Sequence, residues 1–118
     1  MFESDHPTLP DLQRYHRELD TAKGFYTDLY FNALLLQEEM GEVSSAVAQL
    51  WRIEQCMGDL DAALTQQRAA LAEELADCLA YLVKLANYAG IDLEAAYVAK
   101  MRRNLRREWR PRDEDGEA

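Results

Sequence analysis

Five carboxylates stand where a helical chain should be apolar. Glu38, Glu39 and Glu42 interrupt the run Leu34-Leu35-Leu36…Met40…Val43, while Glu74 and Asp77 interrupt Leu71…Leu75…Leu79-Ala80-Tyr81-Leu82-Val83. At about 100° per residue, Glu39 and Glu42 lie about 60° apart on one helix face, and Glu74 and Asp77 do the same on another. Leu35, Leu36, Val43, Ala46 and Leu50 share the first face; Cys78, Tyr81 and Leu85 share the second. Burying that much like charge is prohibitive unless a cation or protons neutralise it. The pattern therefore reads as a metal site built between two helices, with Glu73 a solvated neighbour.

Carboxylate oxygens are hard ligands, suited to Mg²⁺ or Mn²⁺. A di-iron carboxylate bundle also buries Glu on facing helices, but it needs a Glu-x-x-His pairing to supply imidazole. Here the corresponding pairs are Glu39/Glu42 and Glu74/Asp77, and the two histidines, His6 and His16, lie outside both helices. Zinc is disfavoured for the same reason. Mg²⁺, with Mn²⁺ able to substitute, is the expected ion. It usually shares its coordination sphere with substrate phosphates, so the site points to phosphate-ester or phosphoanhydride chemistry with a metal-activated water. Glu38 sits about 40° from Glu42 around the helix and flanks the four ligands, where it could orient or deprotonate that water.

A second set of residues matches the phosphates. Lys100, Arg103, Asn104 and Arg107 fall at i, i+3, i+4 and i+7, forming one stripe. Cations there could neutralise phosphate oxygens while Asn104 exchanges hydrogen bonds. The plainer reading is a basic last turn that complements the helix dipole.

The elements that must position these residues are helices, since Ala and Leu are abundant and β-branched residues scarce. A first helix is expected from about Asp11 to Lys23, with Pro10 at its start and Gly24 as its stop. A second begins at Thr27 or Asp28 and runs to about Glu54. Gly58-Asp59 breaks the pattern, and Leu60 to Gln67 reads as loosely helical. A third helix is expected over about Gln67 to Tyr88, ending at Gly90. Asp92 caps a fourth, which reaches about Trp109 before Pro111. Residues 1–111 thus form one domain, and residues 112–118 an acidic, disordered tail. The third helix is apolar on two faces, one with Tyr81 and Leu85, the other with Leu75, Leu79, Leu82 and Ala86. Such a helix belongs inside a bundle. A four-helix chain has little interior of its own, so a second subunit is expected against the second and third helices.

Composition removes other classes. The chain has 118 residues, is 48% apolar and carries a formal charge of −9, which argues against a general nucleic-acid binder. Ten arginines stand against three lysines, as a GC-rich genome or a saline cytoplasm would each produce. Cys56 and Cys78 form no CxxC pair and no disulfide framework. No apolar stretch approaches the roughly 18–20 residues of a membrane span, and the N-terminus lacks signal-peptide features. A soluble, cytoplasmic, single-domain protein is expected.

Together these residues resemble the MazG-type superfamily of all-α nucleoside triphosphate pyrophosphohydrolases. The superfamily signature is Glu-Glu-x-x-Glu followed by Glu-x-x-Asp. It reads here as Glu38-Glu39-Met40-Gly41-Glu42 and Glu74-Leu75-Ala76-Asp77, with supporting context in Lys100-Met101-Arg102-Arg103-Asn104. The resemblance covers roughly residues 9 to 111. It implies an all-α, four-helix bundle-like subunit that forms dimers or pairs them into tetramers. It also implies hydrolysis of a ribo- or deoxyribonucleoside triphosphate between the α and β phosphates, giving a monophosphate and pyrophosphate. By that resemblance Glu39, Glu42, Glu74 and Asp77 hold Mg²⁺, and Glu38 assists the water or a further metal.

The nearest look is to the branch that includes dCTP pyrophosphatases. There an N-terminal His and an aromatic nine residues later help enclose the nucleotide, and His16 and Phe25 have that spacing, with Phe where the branch has Trp. Tyr81 matches a substrate-contacting Tyr. Trp51 stands two residues beyond the position of the branch's further Trp, and the segment between the acidic motifs differs. These departures fall on base-recognising parts and leave base preference open. Two other readings compete: a non-catalytic helical dimer that binds nucleotide or a protein partner, and a purely structural acidic bundle whose stability Mg²⁺ does not change.

Overall fold

In the computed structural model, which describes residues 2–56, 58 and 60–107, four helices follow one another and no strand occurs among the described residues. They are α1 (Leu9–Lys23), α2 (Leu29–Gln55), α3 (Asp61–Tyr88) and α4 (Leu93–Leu105). Trp109, Pro111 and the acidic tail lie outside the described residues.

Each start and stop has a chemical cause. Thr8 caps α1 in a reciprocal box with Asp11, so the helix begins two residues before the expected Asp11. Gly24 ends it with φ +64°, a left-handed conformation that glycine adopts without Cβ strain. Asp28 accepts from the Phe31 amide to start α2, and Asp92 accepts from the Ala95 amide to start α4. The segment Leu60 to Gln67, read as loosely helical ahead of a helix starting near Gln67, is the first part of α3 itself. The helix begins at Asp61, because Ala62, Ala63, Leu64, Gln66 and Gln67 are good helix formers once Gly58 is past. Leu60 offers no side-chain cap there, so no capping signal marked the start.

α2 and α3 form the most extensive helix contact, α1 packs on α3, and α4 rests mainly on α1. Gln67 donates from α3 to the Ala46 carbonyl of α2 at 3.0 Å. A denser polar knot joins α1 to the α3–α4 turn. Buried Gln13 donates to the Asn87 side chain and the Ile91 carbonyl at 3.0 and 2.9 Å, and accepts from the Leu93 amide at 3.1 Å. Asn87 donates in return to the Gln13 carbonyl at 2.9 Å. Replacing Gln13 by Ala strands two or three of these partners. We expect Gln13→Ala to lower unfolding free energy by about 2 kcal/mol in urea titrations, against a few tenths for the exposed Glu18→Ala.

The core is small. Among the described residues only Ala46, Cys78, Val83 and Ala86 are buried apolar side chains. Leu75, Leu79 and Leu82 of α3, expected to face an interior, are exposed in the single chain.

Candidate active site

The carboxylates come from α2 and α3, whose mutual packing brings one face of each to a shared seam. One oxygen from each of Glu39, Glu74 and Asp77 lies within 4.8 Å of the others. That spacing suits one hard cation, whose opposite ligands stand about 4 to 5 Å apart. The donor set is all carboxylate, with no imidazole or thiolate, and so fits Mg²⁺ or Mn²⁺ better than zinc or iron. Glu42, expected as a fourth ligand, is exposed one turn further along α2 and stands outside this cluster.

The expectation that these acids are buried needs correcting. Glu39 and Glu74 are half-buried, while Glu38, Glu42, Glu73 and Asp77 are exposed among the described residues. Their mutual repulsion is nonetheless felt. Desolvation, then the charges of Asp77, Glu74, Glu42 and Glu38, hold the Glu39 carboxyl above its ordinary value. Burial, then Glu39, Asp77 and Glu74, push the Cys78 thiol up as well. The Tyr81 phenol is raised by burial first and then by Glu39, Glu38 and Asp77. Glu38 and Tyr81 therefore border the cluster.

Beyond the acids the face becomes aromatic. His16 of α1, Phe25 of the α1–α2 turn and Tyr81 of α3 meet around one residue the sequence reading missed, Lys84. Its ammonium stands 5.3 Å from the Tyr81 ring centroid and 5.4 Å from that of Phe25. It pairs at 3.5 Å with Asp20, which is 5% exposed and accepts a 2.5 Å hydrogen bond from the Tyr88 hydroxyl. Burial lowers the His16 pKa from its ordinary value, Lys84 adds to the fall and Asp20 opposes it, so the ring is neutral near pH 7. Phe25 is held by its loop, where buried Asn32 donates to the Tyr26 and Asp28 carbonyls at 2.9 and 2.7 Å. A signal for Lys84 did exist, as it is the one charge in Leu79–Leu85, about 20° from Asp77 on the same face.

Lys100 and Arg107 are exposed and form no ion pair with Glu38, Glu39, Glu42, Glu74 or Asp77 among the described residues. Asn104 is half-buried. Trp51 is exposed and stands about 18 Å beyond Glu39 along α2.

Residues 30–109 match the MazG nucleotide pyrophosphohydrolase domain. The chain belongs to the MazG family. Its all-α architecture is consistent with that membership. The chain is also similar to dCTP pyrophosphatase 1 of Bos taurus, 39% identical over 106 residues, and of Homo sapiens, 38% identical over 106 residues. Each alignment covers 88% of this chain and 61% of the relative, so the chain spans about three-fifths of the length of the curated relatives it matches. The acidic pairs Glu39/Glu42 and Glu74/Asp77, the aromatic face and Lys84 all lie inside the MazG match except His16, Asp20 and Phe25, which precede it. No helix among the described residues is long and apolar enough to cross a membrane.

Proposed function

We propose that this chain hydrolyses a nucleoside triphosphate between the α and β phosphates, with Mg²⁺ as cofactor, releasing a nucleoside monophosphate and pyrophosphate. The observation that carries the reading is the Glu39–Glu74–Asp77 cluster, formed by two helices of a MazG-family chain. These three side chains, joined by Glu42, would hold the ion. When bound, Mg²⁺ supplies charge neutralisation of the phosphates and a more acidic water. Glu38, exposed beside the cluster, accepts the water's proton while the water oxygen ends on one phosphoryl group and pyrophosphate leaves. His16, Phe25 and Tyr81 enclose the nucleoside, and Lys100, Asn104 and Arg107 meet the phosphates. A homodimer, or a tetramer of paired dimers, completes the fold of the domain over residues 1–111. Removal of modified, deaminated or excess nucleotides from the cytoplasmic pool fits this chemistry.

A panel of ribo- and deoxyribonucleoside triphosphates with product identification tests the reading. Pyrophosphate is expected with Mg²⁺ and lost with EDTA. Orthophosphate in its place, or nucleotide binding without turnover under any divalent ion, overturns it.

A further inference from the structure

Lys84 lies seven residues after Asp77 on the same face of α3, about 10 Å farther along the helix axis. Aromatic rings line the face on that side of the acids, with Tyr81 on α3, Phe25 from the α1–α2 turn and His16 from α1. A triphosphate anchored at the carboxylates would therefore carry its base toward Lys84. The lysine side chain is 14% exposed and held in place, yet its donors take part in no hydrogen bond among the described residues. Asp20 Oδ1 is equally unusual. It is buried, approached by Lys84 at 3.5 Å, and receives no hydrogen bond, whereas its other oxygen takes the Tyr88 hydroxyl. The buried carboxylate thus stands beside the ammonium without consuming its donors. An open cleft of about 440 Å³, bordered by Asp20, Phe25, Arg17 and Tyr88, adjoins this group.

We propose that Lys84 is a specificity-determining residue that donates to a carbonyl oxygen of the bound base, with Asp20 as its positioning residue. The inference rests on the nucleotide-binding part of the proposed function. Cytosine, uracil and thymine carry such a carbonyl, and adenine does not. An ammonium between two rings cannot be satisfied by adenine at that point, so adenine is rejected by the donor it leaves unpaired.

The test measures binding of dCTP, dUTP and dATP analogues with a methylene bridge between the α and β phosphates, in Mg²⁺, with dCTP turnover followed in parallel. Wild type should bind the two pyrimidines more tightly than adenine. Lys84→Met should weaken both pyrimidines about 10- to 100-fold and leave dATP within about threefold. Asp20→Asn, which keeps an acceptor for Tyr88 but removes the charge, should move the same ratio in the same direction by less. Should Lys84→Met fail to fold, Lys84→Arg keeps the ion pair and ring contacts but displaces the donor, and it should also narrow the ratio. Equal weakening of all three nucleotides places Lys84 on phosphate and overturns the proposal, as does an unchanged ratio. Selective binding without pyrophosphate release by wild type sinks the hydrolytic reading while Lys84 keeps its role.

Discussion

Glu39→Gln should abolish pyrophosphate release, lowering kcat/KM on the best nucleotide by on the order of 10³-fold or more, about 4 kcal/mol of transition-state stabilisation. Glu39 is the sole member of the carboxylate cluster supplied by α2, whereas α3 supplies both Glu74 and Asp77. Removing it leaves a one-helix, two-carboxylate remnant and breaks the seam across which a cation would clamp the two longest helices. Gln keeps the volume and an acceptor oxygen, so the loss reports charge and not packing. The same argument ranks its neighbours. Glu42, outside the cluster, should cost less when changed to Gln, and exposed Glu73 should cost less than threefold. A thermal measurement separates binding from chemistry. Mg²⁺ at 100 times its dissociation constant should stabilise wild type by about 2.7 kcal/mol, a gain that Glu39→Gln forfeits. Equal activity of Glu39→Gln and wild type would mean that the ion is held elsewhere.

The order of these effects shows what a linear sequence can and cannot carry. Helix stops at Gly24 and Gly90 and starts at Asp28 and Asp92 were readable because each rests on one residue's conformational or hydrogen-bonding preference. The start of α3 was not, because Leu60 caps nothing. Periodicity placed Glu39, Glu74 and Asp77 on facing stripes, and the helix pair joins them. It could not separate Glu42 from them, since that depends on the height at which α3 crosses α2 and not on angle around the axis. Lys84 was visible as a lone charge on the Asp77 face, but its role was not. Its meaning comes from Asp20, 64 positions away, and from rings on two other elements, and no local pattern encodes that meeting. The resting place of α4 on α1 is likewise a property of the Gln13–Asn87 knot, formed by residues 74 positions apart.

Introducing charge on the outer face of α3, in Leu79→Glu combined with Leu82→Glu, should convert the proposed oligomer to a monomer at micromolar concentration. The single chain leaves an apolar surface that water should not be offered. Leu34 is 70% exposed, Trp51 61% and Leu75 52%, with Met40, Val47, Leu79 and Leu82 exposed beside them. These side chains lie on α2 and α3, the helices that hold the acid cluster, and exposed apolar surface of this extent is what an interface covers. In a two-fold dimer each substitution occurs twice, and each buried Leu contributes about 1.5–3 kcal/mol. Two positions in two copies therefore remove about 6 kcal/mol or more before the cost of burying four carboxylates, a loss of at least 10⁴-fold in affinity. Sedimentation velocity reads the mass directly, and circular dichroism asks whether the monomer keeps its helices. A wild-type monomer that unfolds cooperatively and turns over nucleotide at full rate would show that the exposed leucines cover nothing.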